Sequence, residues 1–329
     1  MEYDNAPDWL VGYMRYRRAV LVNSPTSIMT FFGAIREFCQ WLQTKNQTGS
    51  QPRSETALRA VDILDFPLDM ILSVTQNDIE TYMYFLTDTL LNDPATRCKK
   101  LVSLRTMYDY FLDQRESLGI DIKENPAARV HRPKMPKKQP IFLPEQDQIA
   151  FLKAIDGENE ARDYALFLLM LSAGLRVSEV VGIDMPDLNL ESKMCRIRGK
   201  GNKERIIPLT KPTCDAISMY LKEYRNLIPD LRSDALFVSK RCQSSLTARS
   251  VEKAMQKYVL KAKMGGKGYT PHKLRHTTGT MLAKDGEDLL VIQNILGHES
   301  TDTTKIYTHL GQEDISAAIC RSSLGSLER

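Results

Sequence analysis

The chain has 329 residues, 42% of them hydrophobic and 26% charged, with a net charge of +4. That is the make-up of a globular protein long enough for two domains with buried cores, and no apolar run approaches the length of a membrane-crossing helix. A mildly basic chain permits a polyanionic partner without requiring one, so the placement of charge must decide that question. The acidic opening MEYDNAPDWL has no signal-peptide apolar segment, and a cytoplasmic location is expected. Cys39, Cys98, Cys195, Cys214, Cys242 and Cys320 form no C-x-x-C pair and no His/Cys cluster at ligand spacing. Reduced structural thiols are expected.

The first third reads as all-helical. Ser24-Pro25 has the form of an N-cap followed by proline, and Ile28, Phe31, Phe32, Ile35, Phe38, Cys39 and Leu42 then recur at helical spacing. A polar loop is predicted over TKNQTGSQPRSE. A second helix follows from Ile79, Tyr82, Phe85 and Leu86, and a third from Leu101, Leu104, Tyr108, Phe111 and Leu112. Residues 129–138, RVHRPKMPKK, carry five Lys/Arg, two prolines and no acidic residue. Prolines and like charges disfavour packing, so this stretch is a linker, either a solvated tether or one that lies along phosphates. The predicted organisation is a helical domain over 1–128, a basic linker over 129–143, and a second domain with a C-terminal tail over 144–329.

In the second domain, residues 162–172 are apolar nearly all round, the pattern of a buried helix ending at Gly174. Residues 194–198 and 205–209 are short strand-like runs joined by GKGNKE, which predicts a β-hairpin; residues 235–238 are a candidate third strand. Thr270-Pro271 opens a helix to about Lys284, and another runs from Asp288 to Leu296 with Gly297 beyond it. The fold class expected is therefore multi-domain: an all-α N-terminal domain, then a mainly α domain with a small antiparallel sheet.

Four of the five histidines lie between 272 and 309, beside Arg275 and Tyr307. His272 and His276 are at i and i+4, but HKLRH lacks the central acid of a zinc helix and places an arginine where a dication would be repelled. No metal is expected. An arginine one helical turn from a histidine at a helix start suits an anion instead. Arg176 and Glu179 are similarly spaced in GLRVSE, and Lys200 lies in the hairpin turn. His298 follows a helix end, and Tyr307 comes nine residues later.

Read together, Arg176, Lys200, His272-x-x-Arg275, His298 and Tyr307 resemble the pattern of the tyrosine recombinase (phage-integrase-like) family. NSPTSIMTFFGAIREFCQWL resembles the first core-binding helix of its Xer branch, and ENPAARVHRPKMPKKQPIFLPEQ resembles the Xer interdomain linker. The stretch around 45–70 is longer than is usual there.

The resemblance implies site-specific cleavage and rejoining of duplex DNA. Tyr307 would be the nucleophile of a 3′-phosphotyrosyl link, and Arg176, Arg275 and His298 an anion clamp. Lys200 would be the general acid, with Lys203 as its competitor. His272 would serve as a hydrogen-bonding or base group, and Glu179 would orient an arginine or the ring. His276 and His309 match no family role. The resemblance further implies action in DNA integration or excision, or in dimer resolution, by four protomers through a Holliday junction, as a homo-tetramer or with a related recombinase. Neither ATP nor a cofactor is expected. A type IB topoisomerase and a non-catalytic DNA-binding regulator are the rival readings. Arg97, Lys99, Lys100 and Arg105 on the third helix, and Arg132, Lys134, Lys137 and Lys138 in the linker, are the candidate DNA contacts.

Overall fold

The computed structural model describes residues 3, 5–21, 24–135, 141–199, 203–229, 231 and 233–297. The chain divides into two compact units, residues 1–138 and 139–329. Among the described residues no helix is long and apolar enough to cross a membrane.

The first unit is helical: α1 (Asp8–Ala19), α2 (Pro25–Thr48), α3 (Glu55–Arg59), α4 (Leu68–Leu72), α5 (Gln76–Asp88), α6 (Pro94–Asp113) and α7 (Arg115–Leu118). Each of the long helices begins where the local chemistry allows. Ser24 Oγ accepts from the Ser27 amide ahead of α2, and Asp93 accepts from the amides of Ala95 and Thr96 ahead of α6. Thr75 and Asp78 satisfy each other's amides at the start of α5. Phe38, Trp41, Tyr82, Phe85, Tyr108 and Phe111 are fully buried and form an aromatic core between α2, α5 and α6.

The predicted polar loop begins too early. TKNQT contains no helix breaker, so α2 continues to Thr48 and stops at Gly49, whose φ of 68° only glycine adopts freely. Lys45, in that extra turn, pairs with Asp78 at 2.6 Å. The longer stretch after it is partly ordered as α3 and α4, which bury Leu58 and Ile71. Helix α1 also escaped the sequence reading. Its inward stripe is Leu10, Tyr13, Met14 and Arg17, and the arginine breaks the apolar pattern. Arg17 is tolerated there because it lies over the Phe31 ring, 3.6 Å from its centre, and donates to Tyr13 Oη.

The second unit contains α8 (Glu145–Lys153), α9 (Glu160–Ala173), α10 (Val177–Val181), β1 (Leu188–Asn189), β2 (Met194–Arg198), β3 (Glu204–Pro208) and α11 (Lys211–Glu223). These are followed by β4 (Val238–Ser239), β5 (Ser244–Ser245), α12 (Ala248–Lys261), α13 (Pro271–Lys284) and α14 (Leu289–Leu296). Helix α9 is buried from Arg162 to Ala173, and α11 and α13 pack against it. Two buried threonines in this core are paired: Thr278 Oγ1 donates to the Leu171 carbonyl, and Thr277 Oγ1 accepts from the Leu143 amide.

The hairpin forms as predicted, with Cys195 opposite Ile207 and Ile197 opposite Arg205. Residues 235–238 do not extend it. The third strand of that sheet is β1, paired with β2, whereas Val238 joins a separate two-stranded ribbon with Ser245. Leu236, Phe237 and Val238 are fully buried, so a short apolar run here marked core rather than membership of the hairpin's sheet.

Candidate active site

Two helices end at the centre of the second unit, each at a glycine in the left-handed region. Gly174 closes α9 with φ 62°, and Gly297 closes α14 with φ 60°. A β-carbon on Gly174 would also lie 2.5 Å from Leu296 Cδ2, so any side chain there would be strained at this φ and would have to displace Leu296. The carbonyls at these ends have no partner within their helices and carry the negative end of the helix dipole. Two arginines meet them. Arg275, on α13, donates to the Gly174 carbonyl at 2.8 Å and to the Leu296 carbonyl. Arg176, which precedes α10, donates to the Gly297 carbonyl at 3.2 Å.

Glu179 holds the same arginines from the other side. It is 4% exposed. Its carboxylate accepts from the Arg176 amide at 2.9 Å and from Arg176 Nη1 at 2.8 Å. Arg275 Nη1 stands 3.8 Å away. Arg205, on β3, contributes a two-pronged contact, Nη1 to Oε1 and Nη2 to Oε2, both at 3.0 Å. Three guanidiniums thus converge on one carboxylate, leaving an excess of positive charge in a largely buried position. Such a site suits an anion, because fixed donors in a dry environment need no reorganisation to receive negative charge.

The titration of these groups follows from their surroundings. Burial pushes the Arg275 guanidinium down to about 10, with Arg176 adding to the effect and Glu179 opposing it; it is still charged at neutral pH. Partial burial and then the neighbouring cations Lys273, Arg275 and Arg176 hold His272 below the usual imidazole value, which favours its neutral form. Burial works to raise Glu179, but the bonds from Arg205 and Arg176 outweigh it and leave the carboxyl below its ordinary value. Asp187 shows the same balance: burial opposes, while the Asp184 amide, Arg196 and Arg198 pull it down.

A stability prediction follows. Glu179 and Asp187 have depressed folded values, so as pH falls the unfolded chain takes up their protons first. Their stabilisation is complete above the ordinary carboxylate range and is lost as pH drops through the depressed values. Melting temperature should therefore decline from about pH 5 downward, and less steeply for Glu179→Gln. Thermal melts at stepped pH test this, and identical pH dependence in the two proteins would refute the role given to Glu179.

The residues picked out by spacing are thus partly assembled. Arg176, Glu179 and Arg275 meet directly. His272 is exposed on α13, one turn before Arg275, and its ring packs edge-on to His276 with centres 4.7 Å apart. Lys200, His298 and Tyr307 lie outside the described residues. Arg205 was missed. Its signal was available in the strand alternation: it shares the inward face of the hairpin with Cys195, Ile197 and Ile207, where an arginine is out of place.

The candidate DNA contacts divide. Lys99, Arg132 and Lys134 are exposed. Lys100 is drawn inward to Glu37 at 2.6 Å and Asn92 at 2.7 Å, and Arg97 donates to Thr87 Oγ1 at 2.6 Å. Arg105 ties down the following segment through the carbonyls of Ala127 and Val130. Within this unit, therefore, these three have internal structural partners. Lys137 and Lys138 lie outside the described residues.

Comparison with known proteins bears on the whole arrangement. Residues 142–314 match the phage integrase family. A tyrosine recombinase XerC from Caldanaerobacter subterraneus subsp. tengcongensis is 34% identical over 326 residues, covering 98% of this chain and 89% of that protein. The chain belongs to the phage integrase family. It is accordingly a tyrosine recombinase, an enzyme of DNA strand transfer, as the motif set implied. The fold agrees. The XerH recombinase bound to its difH substrate, in a pre-cleavage complex, superposes with a TM-score of 0.67 at 21% identity, covering 94% of this chain and 83% of that one. A lambda integrase tetramer bound to a Holliday junction gives 0.60 at 17% identity, covering 91% and 79%. The expected fold class, helical with a small antiparallel sheet, is the one observed.

Proposed function

We propose that this tyrosine recombinase cleaves and rejoins specific duplex DNA sites through a 3′-phosphotyrosyl link on Tyr307. The observation that carries the reading is the convergence of Arg176, Arg205 and Arg275 on one buried carboxylate, with His272 one turn from Arg275. In the proposed step the Tyr307 oxygen attacks phosphorus, and the bond from phosphorus to the 5′ oxygen breaks. Lys200 delivers a proton to that oxygen as it leaves. Arg176 and Arg275, with His298, hold the non-bridging oxygens as charge builds on them. A neutral His272 serves as hydrogen-bond partner or base. The phosphotyrosyl bond conserves the energy of the phosphodiester. A second 5′-hydroxyl therefore reverses the step, without ATP and without a metal.

The same reading assigns residues 1–128 to core-site binding, 129–143 to a basic linker and 144–329 to catalysis with a C-terminal tail. Exposed Lys99, Arg132 and Lys134 are its phosphate contacts, and the cytoplasm its place of work. Four protomers, alike or paired with a related recombinase, would exchange strands through a Holliday junction. Similarity to XerC proteins over nearly the full length favours dimer resolution as the role, with mobile-element integration the second reading.

The test uses duplexes recovered by binding selection from a random-sequence pool, nicked so that cleavage traps the adduct. A covalent complex should survive denaturing electrophoresis and form equally well in excess chelator. Its DNA should map to the tryptic peptide that begins at Ile306. No adduct would favour a non-catalytic regulator, and adduct that requires one divalent ion would refute the metal-free route. Relaxation of supercoiled plasmid without synapsis would favour topoisomerase activity.

A further inference from the structure

The proposed mechanism leaves Arg205 without a task, although it makes the most complete contact with Glu179. We infer that Arg205 is a positioning residue for strand transfer: it fixes both oxygens of Glu179, and through them sets Arg176 and Arg275 against the scissile phosphate. The inference rests on the anion-clamp reading of those two arginines.

Its place in the hairpin is costly for anything less. Arg205 stands opposite Ile197 on the inward face, where Cys195 and Ile207 are fully apolar neighbours. A strand needing only packing would carry another aliphatic residue there. Its Nε is buried and, among the described residues, lacks a hydrogen-bond partner, a further cost of placing a guanidinium here. What offsets these costs is geometry. A planar fork spans a carboxylate with two parallel bonds, which an ammonium cannot do.

The guanidinium also lies against Gly297. A β-carbon there would sit 3.1 Å from Arg205 Nη1 and 3.2 Å from its Cζ. The contacts close on themselves: Arg205 braces Glu179, Glu179 holds Arg176, Arg176 bonds the Gly297 carbonyl, and Gly297 packs on Arg205. Arg275 joins through Glu179 and through the carbonyl next to Gly297. Without Arg205 the carboxylate keeps only one close side-chain partner, Arg176, and is free to rotate out of register with Arg275.

The test measures adduct formation by the full chain on the selected nicked duplex, with binding followed separately by gel shift. Arg205→Gln should slow cleavage about 10- to 100-fold, the usual cost of removing an orienting partner, with DNA affinity nearly unchanged. Arg205→Lys keeps the charge and the fold, and should remain slow because it cannot bridge both oxygens. The acid limb of the pH–rate profile should move to higher pH in Arg205→Gln. Glu179, faced by Arg176 just before α10, Arg275 from α13 and Arg205 from β3, loses its strongest counter-ion in that variant. The Glu179→Gln/Arg205→Gln double variant should be about as slow as the slower single one, since both changes act through one contact.

A substrate with sulfur bridging to the 5′ carbon, which leaves without an acid, should not rescue Arg205→Gln. Rescue would mean that Arg205 acts through the turn containing Lys200, and would overturn the inference. Additive losses in the double variant, or full activity in Arg205→Lys, would overturn it as well. If Arg205→Gln melts below the assay temperature, Arg205→Lys and its pH profile decide the matter. Wild-type protein that forms no adduct refutes the strand-transfer reading itself; wild-type adduct with an equally fast Arg205→Gln refutes only this inference.

Discussion

An Arg275→Met variant is expected to bind site DNA yet cleave it about 10²- to 10³-fold more slowly, the loss typical of removing one preorganised donor to a charged transition state. The argument rests on where Arg275 is held. It is 3% exposed and bonded to carbonyls at the ends of α9 and α14, so its orientation is set before any DNA arrives. Arg275→Met leaves those carbonyls without this donor, at about 1–3 kcal/mol each. It also relieves the burial of a cation whose guanidinium is already pushed down to about 10. The two effects oppose each other, and the melting temperature should fall on the order of 5 °C. The decisive measurement is single-turnover cleavage with bound fraction held constant. Cleavage within tenfold of the parent would remove Arg275 from the clamp and leave it a structural pin.

Tyr307→Phe should have the largest effect of any single change. It deletes one oxygen, the atom that would form the bond to phosphorus, so adduct should vanish below detection. Duplex binding should persist, because the phenol oxygen forms its bond only during the reaction. A variant that still yields adduct would place the nucleophile on another residue, and the tryptic map of that adduct would identify it. Arg275→Met and Tyr307→Phe also differ in kind: the first should retain slow cleavage at long times, the second none.

Much of the second unit was readable without coordinates, because its signals are local. Gly174 and Gly297 mark helix ends by their freedom at positive φ, Thr270-Pro271 opens α13, and GKGNKE separates two strand-like runs. The motif residues could be chosen from spacing along the chain, and the family they pointed to is the one whose pattern residues 142–314 match. The misreadings arose where no local signal existed. Residues 235–238 have a strand's composition, but which sheet accepts them depends on partners distant in sequence. No local signal announces either that Lys100 meets Glu37, or that Arg105 meets the Ala127 and Val130 carbonyls, partners found only in the folded chain.

The chemistry divides along the same line. The kinds of group present, and their order along the chain, are properties of the sequence: two arginines spaced from a glutamate and a histidine, a turn lysine, and a tyrosine near the C-terminal end. Arg176 and Glu179 are one helical turn apart in the sequence, but tertiary structure alone decided that Arg205 from β3 and Arg275 from α13 would share the same carboxylate. It also decided that two helix C-termini would supply the carbonyls that orient two of them. A carboxylate's partners are set by distance in space, and its pKa by burial and by those partners together. Neither takes its native value until the chain has folded.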